Sequence, residues 1–135
     1  MSDDRFFGKY YGKTAHKEDF DLCIARAKAF GVNGFLFASG HIEDALISLD
    51  LCQKTAHSYS TIGIHPCRAA EPYIRAKLPK EGATPEQKEE ARLAYYSEID
   101  KILSEDQAKG ADKKFVAVGE CGLDYDRFDY ANKED

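Results

Sequence analysis

No apolar stretch of this chain approaches the ~18 residues that a membrane-spanning helix needs, so a bilayer-embedded body is not the expectation. Met1-Ser-Asp-Asp-Arg5 lacks the basic-then-apolar order of a secretory signal, and the expected compartment is the cytoplasm or the nucleus. Cysteine is scarce. The four cysteines, Cys23, Cys52, Cys67 and Cys121, lie far apart with no C-x-x-C pair, which argues against a disulfide framework or a structural zinc site. Positive charge is also in deficit: a net charge of −5 offers no broad phosphate-attracting surface, and a sequence-independent nucleic-acid coat is disfavoured. A nuclease that meets phosphate through divalent ions and a few local bases needs no such surface. Lys9, Lys13, Lys17, Arg68 and Arg127 are available for local contacts of that kind, or are simply solvated. There is no internal repeat or low-complexity tract. What remains, 43% hydrophobic and 32% charged, is the composition of a folded globular protein.

The most informative run is Lys114-Phe-Val-Ala-Val-Gly-Glu-Cys-Gly-Leu-Asp-Tyr125. Phe115–Val118 is continuously apolar, the pattern of a strand covered on both faces in a parallel sheet, and it stops at a single carboxylate, Glu120. Gly119 and Gly122 flank that acid and allow a sharp turn and close approach of a ligand. Asp124 and Tyr125 continue from it, and either pack the loop or serve the site, Asp124 by orienting a neighbouring group and Tyr125 by stacking on a base. A second run, Ser58-Tyr-Ser-Thr-Ile-Gly-Ile-His-Pro-Cys67, ends at His65, where Pro66 has no N–H to continue a ladder. A third, Asn33-Gly-Phe-Leu-Phe-Ala-Ser-Gly-His41, gives way to Ser39, Gly40 and His41. His41 either lines a site or caps the next helix, while His16 and His57 read as surface imidazoles. Three strands that leave polar groups at their C-terminal ends predict one shared functional face of a parallel α/β architecture, closed barrel or open sheet.

Between the strands the period becomes helical. Phe20, Cys23, Ile24, Ala27 and Phe30 form one stripe, with Gly31 as its stop, and Ile42, Ala45, Leu46, Leu49 and Cys52 form another. A third helix is predicted from about Pro85 to about Lys109, capped by Thr84 and ended by Gly110, with Arg92, Tyr95, Tyr96, Ile99, Ile102 and Leu103 along its buried stripe. Alternating strands and helices predict right-handed βαβ units. Residues 71–87, interrupted by Pro72, Pro79, Gly82 and Pro85, read as an insertion after the His65 loop, with Tyr73, Ile74 and Leu78 packing a short turn.

The strings YYGKTAHKEDFD, STIGIHPCRA and VAVGECGLDYDRF resemble the TatD-type deoxyribonucleases, metal-dependent hydrolases of the amidohydrolase-like superfamily. The resemblance implies a TIM barrel with divalent metals at the C-terminal strand ends and cleavage of phosphodiester bonds in DNA, exo- or endonucleolytically. By it, Glu120 is a metal ligand and His65 a residue near the active site; His65 is expected to be catalytic or substrate-binding, and Asp124 and Tyr125, from their place after Glu120, to be substrate-binding. Mg²⁺ is the expected ion, with Mn²⁺ or Zn²⁺ as alternatives. The strand carrying the family's first ligands is not matched, nor are later strands supplying two histidines and an aspartate. A closed (β/α)₈ barrel takes ~250 residues. Residues 1–135 are therefore expected to form one partial TatD-like domain, about three parallel strands of a barrel alternating with helices, that hides its unpaired edges by self-association. DNA is the expected partner, and the chain alone is expected to be inactive or nearly so. Two other readings stay open: a metal-dependent hydrolase of another ester or amide, and a non-enzymatic remnant that binds a partner.

Overall fold

The structure, a computed structural model, describes residues 4–126, so Arg127 lies outside the described residues. Two strands, β1 (Lys9–Tyr10) and β2 (Lys13–Thr14), form an antiparallel hairpin ahead of the main body. The body then alternates as read: α1 (Phe20–Ala29), β3 (Phe35–Phe37), α2 (Ile42–Lys54), β4 (Ser58–Ile62), a short α3 (Glu71–Arg75), α4 (Pro85–Gln107) and β5 (Phe115–Val118). Strands β3, β4 and β5 are neighbours in that order and parallel, with Phe37 opposite Ser60 and Ile62 opposite Val118. A register shift at Ser60–Thr61 lets β5 pair past the end of β3. The fold is thus α/β with a parallel sheet, and the C-terminal ends of all three strands emerge on one side.

One face of the sheet is covered by helices. Phe20, Ile24, Phe37, Leu51 and Cys52 pack as one buried cluster, with Phe6, Phe7 and Phe35 against it. Ala45, Ile62 and Phe115 form a second, closed over by Leu49, Ile99, Ile102 and Leu103. Burial pushes the Cys52 thiol pKa up, in keeping with an inert filler. Serines alternate with these apolar groups because their hydroxyls reach main-chain acceptors: Ser60 Oγ donates to Phe37 O at 3.1 Å and Ser58 Oγ to Cys52 O at 3.2 Å.

Several predicted stripes shift. Phe30 is turned out by the C-cap that Gly31 closes at φ +89°, a conformation that favours glycine. Leu46 is exposed and Ser48 and Leu51 are buried in its stead. On α4 the buried residues are Ala91, Tyr95 and Asp106, whereas Tyr96 is half exposed. Thr84 and Gln87 form a reciprocal capping box at its start. The insertion holds a five-residue helix because Pro72 sits in its first turn, where no N–H is needed, but Ile74 faces solvent. The largest correction concerns β5. Phe115 is buried, yet Val116, Ala117 and Val118 are exposed, because beyond Phe115 the faces of β5 are not covered among the described residues as a strand buried on both faces would be.

Asp106 ties α4 to β5. At 1% exposure its Oδ2 accepts from the N–H groups of Lys114 and Phe115, both at 2.8 Å, and its Oδ1 accepts from Lys109 Nζ at 3.2 Å. Burial pushes its pKa up, but the hydrogen bonds from Phe115, Lys114 and Lys109 outweigh burial, and the net direction is down. A carboxylate depressed in the folded state contributes stability above the unfolded-state value near ~4, and that contribution is lost as pH falls through the folded value. Asp106→Asn is therefore expected to cost about 1.5–3 kcal/mol at neutral pH, with the gap to wild type closing in acid. Urea denaturation of both proteins across the acid limb checks this, and parallel acid limbs would refute it.

Candidate functional site

The strand ends are laced together by backbone. His65 N–H donates to Gly40 O at 2.9 Å, Glu120 N–H to Ser39 O at 3.0 Å, and Gly119 N–H to Ile62 O at 2.9 Å. Ser39 is buried, and its Oγ donates to Thr61 O at 2.8 Å while its N–H donates to Thr61 Oγ1 at 3.1 Å. These bonds require close backbone approach. A Cβ on Gly63 would lie 2.3 Å from Glu120 O, and one on Gly40 would lie 3.2 Å from His65 Cβ, so the two glycines make room for the junction.

On that platform the two leading sequence candidates meet. His65 Nε2 lies 3.5 Å from Glu120 Oε2, with the imidazole 34% and the carboxylate 57% exposed. The other ring nitrogen is engaged. Nδ1 accepts the Cys67 N–H at 3.1 Å and sits 2.9 Å from Cys67 Sγ. A nitrogen that accepts carries a lone pair, so the neutral ring holds its proton on Nε2, on the side of Glu120. The Nε2–H thus faces the carboxylate at ion-pair distance without a hydrogen bond formed, and Glu120 is the group with lone pairs to offer a cation. Cys67 is the residue that the sequence reading missed. Its only signal was the His-Pro-Cys turn, in which residue i+2 returns its N–H to the side chain at i.

The other candidates are placed as follows. Asp124 Oδ1 accepts from Asp126 N–H at 2.9 Å, a local turn, and Tyr125 is largely exposed. His41 occupies the N-cap position of α2 in extended backbone, without a side-chain capping bond. Its Nδ1 lies 2.7 Å from Asp44 Oδ2 without hydrogen-bond geometry, and Asp44 Oδ2 in turn accepts from Gly40 N–H at 3.4 Å.

Two places could hold a divalent ion. At the strand ends a hard ion suits the exposed Glu120 carboxylate as one oxygen donor, with His65 Nε2 3.5 Å away. The second is formed by His41, Glu43 and Glu71, whose ligand atoms lie within 4.8 Å of one another, the only such trio among the described residues. Both acids there already face arginines. Arg75 pairs with Glu43 and holds Glu98 at 2.8 Å, and Arg68 reaches Glu71 at 3.4 Å. This cluster docks α3 onto α2 and α4. Tyr95 supports the same corner: its hydroxyl accepts from Ile42 N–H at 3.0 Å, and burial chiefly, with Glu71 and Glu43 adding, pushes its pKa up to about 12.

Comparison with known proteins gives a consistent result. The family described as "TatD related DNase" matches residues 8–135. The chain is 36% identical over 130 residues to "Deoxyribonuclease Tat-D" of Schizosaccharomyces pombe, covering 96% of this chain and 36% of that protein. It is 29% identical over 109 residues to "3'-5' ssDNA/RNA exonuclease TatD" of Cronobacter turicensis, covering 81% and 32%. Among solved structures, an uncharacterized amidohydrolase from Saccharomyces cerevisiae superposes with a TM-score of 0.79 at 29% identity, over 98% of this chain and 38% of that one. A hydrolase TatD family protein from Entamoeba histolytica superposes with a TM-score of 0.67 at 29% identity, over the same shares. The chain spans about a third of the length of the curated relatives it matches.

With one carboxylate open at the strand ends and the other trio held by arginines, calorimetric titration of this chain with Mg²⁺ or Mn²⁺ is expected to give a Kd on the order of millimolar or weaker. A micromolar Kd that disappears in His41→Ala would show that the arginine-paired trio binds the ion after all.

Proposed function

We infer the activity from one premise: the chain belongs to the TatD related DNase family. The function proposed is that of a metal-dependent hydrolase of the TatD DNase type, for which this chain supplies part of the site, acting on phosphodiester bonds in DNA. The observation that carries the reading is Glu120, presented at the end of β5 and facing His65 at 3.5 Å over laced strand ends. Glu120 would hold the ion, with Mg²⁺ the natural choice for phosphate chemistry and Mn²⁺ or Zn²⁺ as alternatives. When bound, such an ion polarises the scissile phosphate and lowers the pKa of an attacking water. The rest is done by the chain. His65 Nε2, 3.5 Å from the carboxylate, would donate to it and orient it, the Cys67 N–H fixes His65, and Tyr125 offers an exposed ring to a base beside Asp124.

Residues 1–135 are proposed as a single unit of barrel structure, with residues 71–87 as an insertion on the same side as the strand ends. Consecutive parallel order suits a (β/α)₈ barrel segment. Leu36, Tyr59 and Val116, on the sheet, are exposed apolar positions, and β3 and β5 are the edges of the described sheet. Such surfaces favour pairing with another copy of the chain or with further strands.

In a protein that carries this segment within a complete barrel, Glu120→Ala is expected to lower metal-dependent DNA cleavage at least ~100-fold with little change in Tm, since an exposed strand-end side chain adds little to the core. Wild-type turnover in that variant would end the assignment. His65 has a sharper test. Gln places an N–H near the Nε2 position and Asn does not, so His65→Gln should retain far more activity than His65→Asn; equal loss in both would make His65 a proton-transfer group instead. The 135-residue chain alone should cleave DNA weakly or not at all, measured with Mg²⁺ or Mn²⁺ against a chelator control.

A further inference from the structure

The hairpin ahead of α1 carries chemistry that the strand-end site does not use. Residues 9–17, Lys-Tyr-Tyr-Gly-Lys-Thr-Ala-His-Lys, hold three lysines and no acid in a chain whose net charge is −5, and acids resume only at Glu18. All nine residues are exposed. Lys9 pairs with Thr14 and Tyr10 with Lys13, so the Tyr10 ring and the Lys13 ammonium share one face of the ribbon. The two-residue turn is Tyr11-Gly12, with φ of +48° and +72°. That geometry suits Asn-Gly, and a bulky residue at its first position is strained. The strain is not offset by burial, because Tyr11 is 86% exposed. Its ring meets Tyr10 edge-on, centroids 4.5 Å apart at 68°, which steadies its orientation and leaves the ring broadly open.

The base of the hairpin is firm. Gly8 O accepts from the N–H groups of Ala15 and His16, Phe6 O accepts from Asp19 N–H, and Phe6 and Phe7 pack on the cluster containing Phe37. That cluster includes Phe37 and has Phe35 packed against it, so the hairpin is anchored beside β3.

We propose that this hairpin is a docking element for single-stranded nucleic acid, in which Tyr11 stacks on a base and Lys9, Lys13 and Lys17 hold the flanking phosphates. An exposed aromatic beside cations is the combination that binds single strands without reading sequence, since every base has a π-face and every linkage a charge. The proposal deepens the nuclease reading and rests on it for its biological use. Binding, however, needs no metal and can be measured apart from cleavage.

The test is fluorescence anisotropy of the purified chain with a labelled thymidine oligomer in EDTA at low salt. Tyr11→Ala is expected to weaken binding about 5- to 100-fold, and Tyr11→Trp to preserve it. An abasic oligomer of equal length should bind wild type and Tyr11→Ala alike. Lys13→Ala should reduce the slope of log K against log salt by about 0.7. Tyr11→Gly separates fold from function: relief of the positive-φ strain should raise Tm while binding falls. The proposal is overturned if Tyr11→Ala binds the thymidine oligomer as tightly as wild type, if wild type does not distinguish it from the abasic strand, or if neither is bound. Cleavage lost in Glu120→Ala with binding intact keeps both ideas. Binding without cleavage in a complete barrel removes the nuclease reading and leaves the hairpin, and the reverse removes the hairpin alone.

Discussion

The arrangement at the strand ends depends on three backbone hydrogen bonds that join segments distant in sequence: His65 to Gly40, Glu120 to Ser39 and Gly119 to Ile62. Main-chain donors at the end of a parallel sheet have no further ladder to enter, and each would cost free energy if buried without a partner. Here they are satisfied by Ile62 O, the last carbonyl of β4, and by Ser39 O and Gly40 O in the loop that follows β3, which brings His65 and Glu120 together. Glycine at 40 and 63 makes the approach possible, because a methyl at Gly63 would overlap the Glu120 carbonyl. The site therefore owes its geometry to the main chain rather than to side-chain packing.

Charge is handled differently on the two sides of that junction. At the strand ends, carboxylate and imidazole remain partly solvated and face one another. Around α3, the acids are matched by Arg68 and Arg75, and the bidentate grip of Arg75 on Glu98 spends the charge on holding helices together. The acids around α3 are thus committed to arginines, whereas the single carboxylate of Glu120 faces an imidazole.

Much of this was legible in the sequence. Continuous apolar runs that stop at Glu120 and His65 located the strands and the face on which they end, and three- and four-residue spacing located the helices. What escaped were features set by neighbours in space. The exposure of Val116 and Val118 follows from what packs on the faces of β5, a fact that its own apolar run cannot encode. Ser58, Ser60 and Ser39 looked like ordinary strand polar residues, yet they are buried because main-chain oxygens and Thr61 lie within reach. The partnership of Cys67 with His65 hides in a turn of three residues, and the stripe on α4 missed Ala91, whose small side chain gives no hydrophobic signal.

The Asp106 clasp also bears on how the chain reaches this state. Its partners, Lys114 and Phe115, are only eight and nine residues away, so closing that loop costs little entropy and can occur as soon as α4 has formed. The lacing of β3, β4 and β5 requires contacts across far longer spans, which form later in proportion to the loops they close. A helix and strand pinned early by one carboxylate would present β5 as a ready-made edge to which β4 can add, making α4–β5 the natural seed of folding and the Glu120 junction among the last parts to set.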